Sequence, residues 1–271
     1  MTTTMIPPEV LARPRVQHLL GRAALYQALA LAFAYPEEEA LSRFDALAAD
    51  LDGHPAVERL GVGGALRAAR AARAEVDADR LAPVHFALFE GNVLCSAHET
   101  EYIRDPFAKA AQLADMAGFY AAFGMQVSTR HQATPDNIGV ELEFMAHISQ
   151  REAYAAVQEW DERALIARQA GRTFLEAHLG RWTRAFTLDL CERAGEAAAL
   201  RDDPATGRWY HALGELLRQT VVADLETEGV YPSLLHSRVV DDETAEPPTC
   251  PLAEEVQLID IDSILVNGTG D

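Results

Sequence analysis

"RDPFAKAAQLADMAGFYAAFG", residues 104–124, decides the fold class. Asp105 suits a helix N-cap, and Pro106 suits the first helical position, where its fixed φ fits and its missing N–H costs nothing. Leu113, Met116, Tyr120 and Phe123 then recur at the spacing of one helical face. Gly124 suits the left-handed residue that follows a last turn. Start, face and stop agree, so the stretch is a helix with one apolar side.

The neighbouring segments keep the same period. "MQVSTRHQATPDN" is a polar connector, and "ATPDNIGVELEFM" (133–145) opens a second helix at Thr134-Pro135. Ile138, Leu142 and Met145 form its inner side, and it runs to about Val157. "DERALIARQAGRTFLEAHLG" and "RWTRAFTLDLCERAG" read as two more helices, and Asp203-Pro204 opens a last one carrying Tyr210, Leu213, Leu217, Val221 and Leu225. Upstream, a helix from about Val16 to Tyr35 places Leu20, Ala23, Ala24, Leu31 and Tyr35 on one broad face. A shorter one lies near Leu41 to Leu51. Gly61, Gly63 and Gly64 mark a break before "ALRAARAARAEVDADR", a helical stretch with an exposed face, and "APVHFALFEG" is a compact apolar helix closed by Gly91. The expected architecture is all-α: one helical bundle over 16–236, an N-terminal extension over 1–15, and an acidic C-terminal tail over 237–271. The tail holds nine acids against one base. Its "DDETAEPPTCP" is expected to be loop or disordered, whereas "VQLIDIDSILV" alternates partly like a strand.

Acids outnumber bases 42 to 23, for a formal charge of −19. That argues against nucleic acid and anionic membrane surfaces, which need basic patches, and favours a basic partner or simple solubility. Cys95, Cys191 and Cys250 are too few and too scattered for a disulfide framework. The N-terminus lacks the basic-then-apolar layout of a signal peptide. The apolar run over 19–35 is interrupted by Arg22 and Gln27 and is short for a membrane span. A reducing, cytoplasmic setting without stable membrane insertion is expected.

Sites for chemistry are sparse. "GVGG" lacks the Lys-Ser/Thr and the preceding strand of a phosphate loop, and no Gly-x-Ser-x-Gly or His-Glu-x-x-His appears. Cys95 and His98, followed by Glu99, are zinc-ligand types at usable spacing, but a closed site needs about four ligands and only distant Cys250 or another histidine could complete it. A buried thiol beside a loop histidine is the plainer reading. Glu141 and Glu143 are two apart and point about 200° apart on a helix, so they cannot share a substrate. They read as solvated or paired with basic side chains. Asp136 sits where helix amides favour an anion, so it fits either capping support or a site. Phe119, Tyr120 and Phe123 read as core, with the Tyr120 hydroxyl free to reach the edge of a groove.

"LADMAGFYAAFG" followed by "TPDNIGVELEFM" resembles the signature region of the TorD/DmsD/NarJ family of redox-enzyme maturation chaperones. "HFALFEG", "CSAHETEY", "FLEAHLGRW" and "WYHALGELL" resemble that family's other helices and its loop, so the likeness covers about residues 18–228. The resemblance implies an all-helical, non-enzymatic cytoplasmic protein without a cofactor of its own. It would hold the catalytic subunit of a molybdenum-cofactor oxidoreductase while the cofactor is inserted, and bind that subunit's twin-arginine signal peptide to delay export. The loop looks closest to the branch serving dimethylsulfide-, selenate-, chlorate- or ethylbenzene-type oxidoreductases, and the family's helices can exchange between copies, implying a monomer or domain-exchanged dimer. One departure stands out: the family often has Pro-Asp-His where this chain has Pro135-Asp136-Asn137. A twin-arginine peptide calls for carboxylates around an apolar floor. Asp136, Asn137 and Glu141, with Glu99 and Asp115, are assigned to the polar side beside Pro135. Tyr26, Tyr102, Phe119 and Tyr120 are assigned to the floor. The competing readings are a metal-binding enzyme or sensor using Cys95, His98 and Glu99, and a helical adaptor with an unrelated partner.

Overall fold

The structure is a computed structural model that describes residues 6–91, 93–127 and 134–237. It is all-helical: α1 (Pro8–Leu11), α2 (Pro14–Phe33), α3 (Glu38–Asp50), α4 (Pro55–Leu60), α5 (Gly63–Arg73), α6 (Ala78–Phe89), α7 (Pro106–Ala122), α8 (Ile138–Val157), α9 (Asp161–Ala177), α10 (Leu179–Ala199) and α11 (Pro204–Glu228). A single 3-10 turn, Glu99–Tyr102, sits in the α6–α7 connection. No described helix is long and apolar enough to cross a membrane. Tail residues 238–271, with Cys250, lie outside the described residues.

Local caps fix most boundaries. Asp105 Oδ1 accepts the Phe107 amide at 2.9 Å, and Gly124 closes α7 with φ +76°. Asp203 Oδ1 accepts the Ala205 amide at 3.2 Å, and Gly229 ends α11 with φ +61°. Three boundaries differ from the sequence reading. The Ala/Arg-rich stretch is two helices, because Asp77 caps α6 through the Arg80 amide at 2.9 Å. Helix α8 starts at Ile138, since Asn137 is its N-cap, accepting the Gly139 amide at 2.9 Å, and Thr134-Pro135 forms the preceding turn. Helix α2 ends at Phe33. Leu20 and Tyr35 are exposed, and the buried face runs through Val16, Leu19, Ala23, Tyr26 and Ala30.

Helix α2 packs along α8, α8 along α9, and α10 along α11, with α5 against α11. Gly21 lets α2 approach α4 closely, since a Cβ there would lie 2.5 Å from Ala56 Cβ. The core between these helices holds Trp182, Trp209, Phe44, Phe144, Phe174 and Phe186, all essentially inaccessible. Side chains of that size contribute most of the burial that holds a helical bundle together. Arg22, the residue that interrupts the apolar run of α2, is also buried. Its guanidinium reaches both Asp224 oxygens on α11 at 2.7–3.0 Å and donates to Ser149 on α8 at 2.8 Å. Tyr26 donates its hydroxyl to the same carboxylate at 2.6 Å. Burial alone would lower the Arg22 pKa, but Asp224 and Tyr26 outweigh it and the net direction is up. One ion pair therefore ties three helices, and every partner atom in it is occupied.

Candidate functional site

The two sequence motifs singled out above meet in space. Residues 95–102 lie against residues 134–138 through an isolated antiparallel bridge between His98 and Asn137. The Glu99 amide donates to Asp136 O and the Ile138 amide to Ala97 O, both at 2.9 Å. Asp136 fixes the arrangement with its side chain. Its Oδ2 accepts the Thr100 hydroxyl at 2.6 Å and the Thr100 amide at 3.3 Å. Its Oδ1 accepts the Thr134 hydroxyl and lies 3.4 Å from His98 Nδ1. Burial pushes the Asp136 carboxyl up, but the hydrogen bonds from His98, Thr100 and Thr134 outweigh it and hold the group below the usual carboxylate range. Asp136 thus clamps a loop, while Asn137 performs the capping.

Beneath this clamp lies a buried acidic cluster. Glu99 Oε1 accepts from the Gln112 amide at 2.8 Å, and Oε2 lies 3.3 Å from His178 Nδ1. Gln112 also donates to Ala177 O at 3.2 Å, across the α9–α10 junction where His178 breaks the helical path with φ −130° and ψ −98°. The other ring nitrogen, His178 Nε2, faces Asp115 Oδ2 at 3.2 Å but off the line of a hydrogen bond, and it has no hydrogen-bond partner. Glu141 is fully buried and accepts the Trp182 indole N–H at 3.2 and 3.3 Å. Glu141 is therefore neither solvated nor ion-paired, which corrects the sequence reading. Burial, reinforced by the nearby Glu99 charge, pushes its carboxyl well above the ordinary range. Trp182 stacks on Tyr102 at 5.3 Å, and the Tyr102 hydroxyl donates to Ser96 O at 3.1 Å. An aromatic nest adjoins the cluster: Phe144 and Phe174 at 4.6 Å, with Phe119 and Tyr120 of α7 and Phe123 just after it laid on them at 5.2–6.2 Å. The Tyr120 hydroxyl donates to Pro135 O at 2.7 Å.

Nine of the ten candidate residues come together here. Asp115 is well exposed, with 62% of its side chain accessible. Phe119, Pro135 and Asn137 are half-buried, and Glu99, Tyr102, Tyr120, Asp136 and Glu141 are buried. Tyr26 is elsewhere, fully buried on Asp224. Cys95, His98 and Glu99 have separate partners: the Cys95 thiol lies 3.9 Å from Phe186 O, His98 faces Asp136, and Glu99 binds Gln112. Among the described residues no three His, Cys, Asp or Glu side chains are grouped to hold a metal ion. Sequence reasoning missed Gln112, His178 and Trp182. The signal for the last two was present in "AHLGRW", where a polar residue and a tryptophan interrupt a helical period. Surface depressions near Asp45 and Arg70 (about 420 Å³) and near Cys191 and His211 (about 560 Å³) lie on other elements.

A family model described as nitrate reductase delta subunit matches residues 58–188, which include both motifs and the whole cluster. The selenate reductase assembly chaperone protein of Thauera selenatis is 31% identical over 72% of this chain and 85% of its own length. The chain belongs to the TorD/DmsD/NarJ family of redox-enzyme assembly chaperones. The perchlorate reductase assembly chaperone protein of Dechloromonas aromatica (strain RCB) is 24% identical over 62% of this chain and 77% of its own length. No solved structure matches the chain. For this family member, the motif residues have a physical role: the bridge, the Asp136 clamp and the Trp182–Glu141 bond set an acidic cluster beside an aromatic nest, with Asp115 at the exposed edge.

Proposed function

We propose that this protein is a cytoplasmic, system-specific, non-enzymatic chaperone for the catalytic subunit of a molybdenum-cofactor oxidoreductase. It holds that subunit during cofactor insertion, binds its twin-arginine signal peptide, and delays export until folding is complete. The named relatives serve a selenate reductase and a perchlorate reductase, which favours an oxyanion reductase or a related enzyme as client.

The observation that carries the reading is the juxtaposition at the α7 edge. Glu99, Asp115, Asp136 and Glu141 surround an aromatic nest in a chain of charge −19, and a buried His178 nitrogen there faces Asp115 without a hydrogen bond. Guanidinium groups need carboxylates, and the apolar part of a signal peptide needs a floor. Exposed ion pairs contribute only about 0–1 kcal/mol, so the apolar contact supplies most of the affinity. The buried acids set the field and hold the walls. Asp115, at the exposed rim, is the first acid a ligand meets on approach. The test is calorimetry with a synthetic peptide bearing two adjacent arginines followed by an apolar stretch. Saturable binding that Glu99→Gln weakens is the expected result. Absence of heat at micromolar peptide, with a peptide lacking the arginines behaving identically, overturns the reading.

A further inference from the structure

Helix α7 is poorly attached for its length. It buries two of its 17 residues, Met116 and Tyr120, whereas α8 buries eleven of 20 and α10 eleven of 21. Its outward side is apolar and smooth: Ala110, Ala111, Ala114, Ala117, Gly118 and Ala121 are all exposed. Its polar ties to the groove beneath are the hydrogen bonds of Gln112 and Tyr120, the Asp115–His178 contact at 3.2 Å and the Lys109–Glu101 pair at 3.5 Å. Gly124, with φ +76°, ends the helix at a position where side chains rarely fit.

The apolar walls that α7 covers are held by other elements, although Gln112 and Asp115 of α7 touch Glu99 and His178. Phe144 and Phe174 stack on each other, and Phe174 stacks on His178 at 4.9 Å. Trp182 holds Glu141 and Tyr102, and the 95–102 loop is pinned by Asp136. Lifting α7 would leave these walls standing. It would uncover two phenylalanines of zero accessibility and release the Glu99 carboxylate and the His178 imidazole from their Gln112 and Asp115 contacts.

We propose that α7 is a built-in placeholder, and that the groove it fills receives an apolar helical segment of the client chain with a cationic side chain at the Glu99–His178 end. The inference rests on the chaperone reading above and adds where and in what form the client binds. The occupant is helical because the groove already holds a helix, through Leu113, Met116, Phe119, Tyr120 and Phe123 at helical spacing. Displacing α7 costs part of the binding energy, so loosening its seat tightens the client. A groove that merely packs α7 as core would behave in the opposite way.

The experiment uses the full chain. Hydrogen exchange is expected to show α7 amides opening at least about 100-fold more readily than those of α8. Met116→Ala, at a residue outside the proposed ligand contacts, is expected to raise Nile red fluorescence severalfold and to tighten the twin-arginine peptide by about 3- to 10-fold. Leu113→Ala, a milder loosening, gives the same directions if Met116→Ala does not fold. The placeholder is overturned if α7 exchanges as slowly as α8, if dye binding is unchanged, or if either folded variant weakens the peptide. If the unmodified protein binds no peptide, the chaperone reading fails, while exchange and dye binding still decide whether α7 is a displaceable cover.

Discussion

Two buried polar networks hold this molecule together, and they are built on opposite plans. Around Arg22 the charges balance: one guanidinium meets one carboxylate bidentately, and Ser149 and Tyr26 complete the arrangement. Around Glu99 they do not. Glu99, Glu141 and Asp136 are buried within one cluster, Asp115 stands at its edge, and among the described residues the groups that bond them are histidines and neutral side chains. A balanced network buried on all sides can only be structural, because any ligand would have to break it. An unbalanced one with an exposed edge is costly to keep, and the cost makes sense if a cation arrives from outside.

Breaking the balanced network should have the largest effect. Asp224→Ala leaves Arg22 charged and unpaired among α2, α8 and α11, and is expected to destabilise by about 3–5 kcal/mol in chemical unfolding. Asp136→Asn should cost about 1–3 kcal/mol at neutral pH, because it weakens the hold on Thr100 and the 95–102 loop. The Asp136 pKa is lowered in the folded state, so its contribution is present above the unfolded value of about 4 and fades as pH falls below it. The wild-type–mutant difference should therefore shrink in acid melts. Glu141→Gln should act the other way. A carboxyl whose folded pKa is raised loses stability as pH climbs from about 4 toward that raised value. The glutamine oxygen can still accept the Trp182 N–H, so the variant is expected to gain about 1–2 kcal/mol at pH 7 and little near pH 4. Asp115→Asn, at a mostly exposed side chain, should leave stability within about 0.5 kcal/mol in chemical unfolding.

The comparison also separates what the chain reveals locally from what it conceals. Asp105, Gly124, Asp203 and Gly229 act within a few residues of themselves, so the helices they bound are legible from caps alone. Asn137 competes with Thr134 and Asp136 as a cap, and only the docking of the 95–102 loop, which takes Asp136 away, decides among them. The acids of the site are equally legible as residue types, but their burial is not. Glu99 meets His178 across 79 positions and Arg22 meets Asp224 across 202, and no spacing rule reaches that far. Arg22 did carry a signal, since a lone arginine on a buried helix face requires a distant carboxylate. Tyr26 carried no signal that separated it from the aromatic floor.

The claim that an apolar, basic client segment seats at the Glu99–His178 edge is tested most directly by hydrogen exchange with and without the twin-arginine peptide. Added protection is expected in residues 97–103 and 174–182, with faster exchange in α7 as it is displaced. Protection confined to another surface, such as the depression near Cys191 and His211, or no change in any segment at saturating peptide, would contradict it.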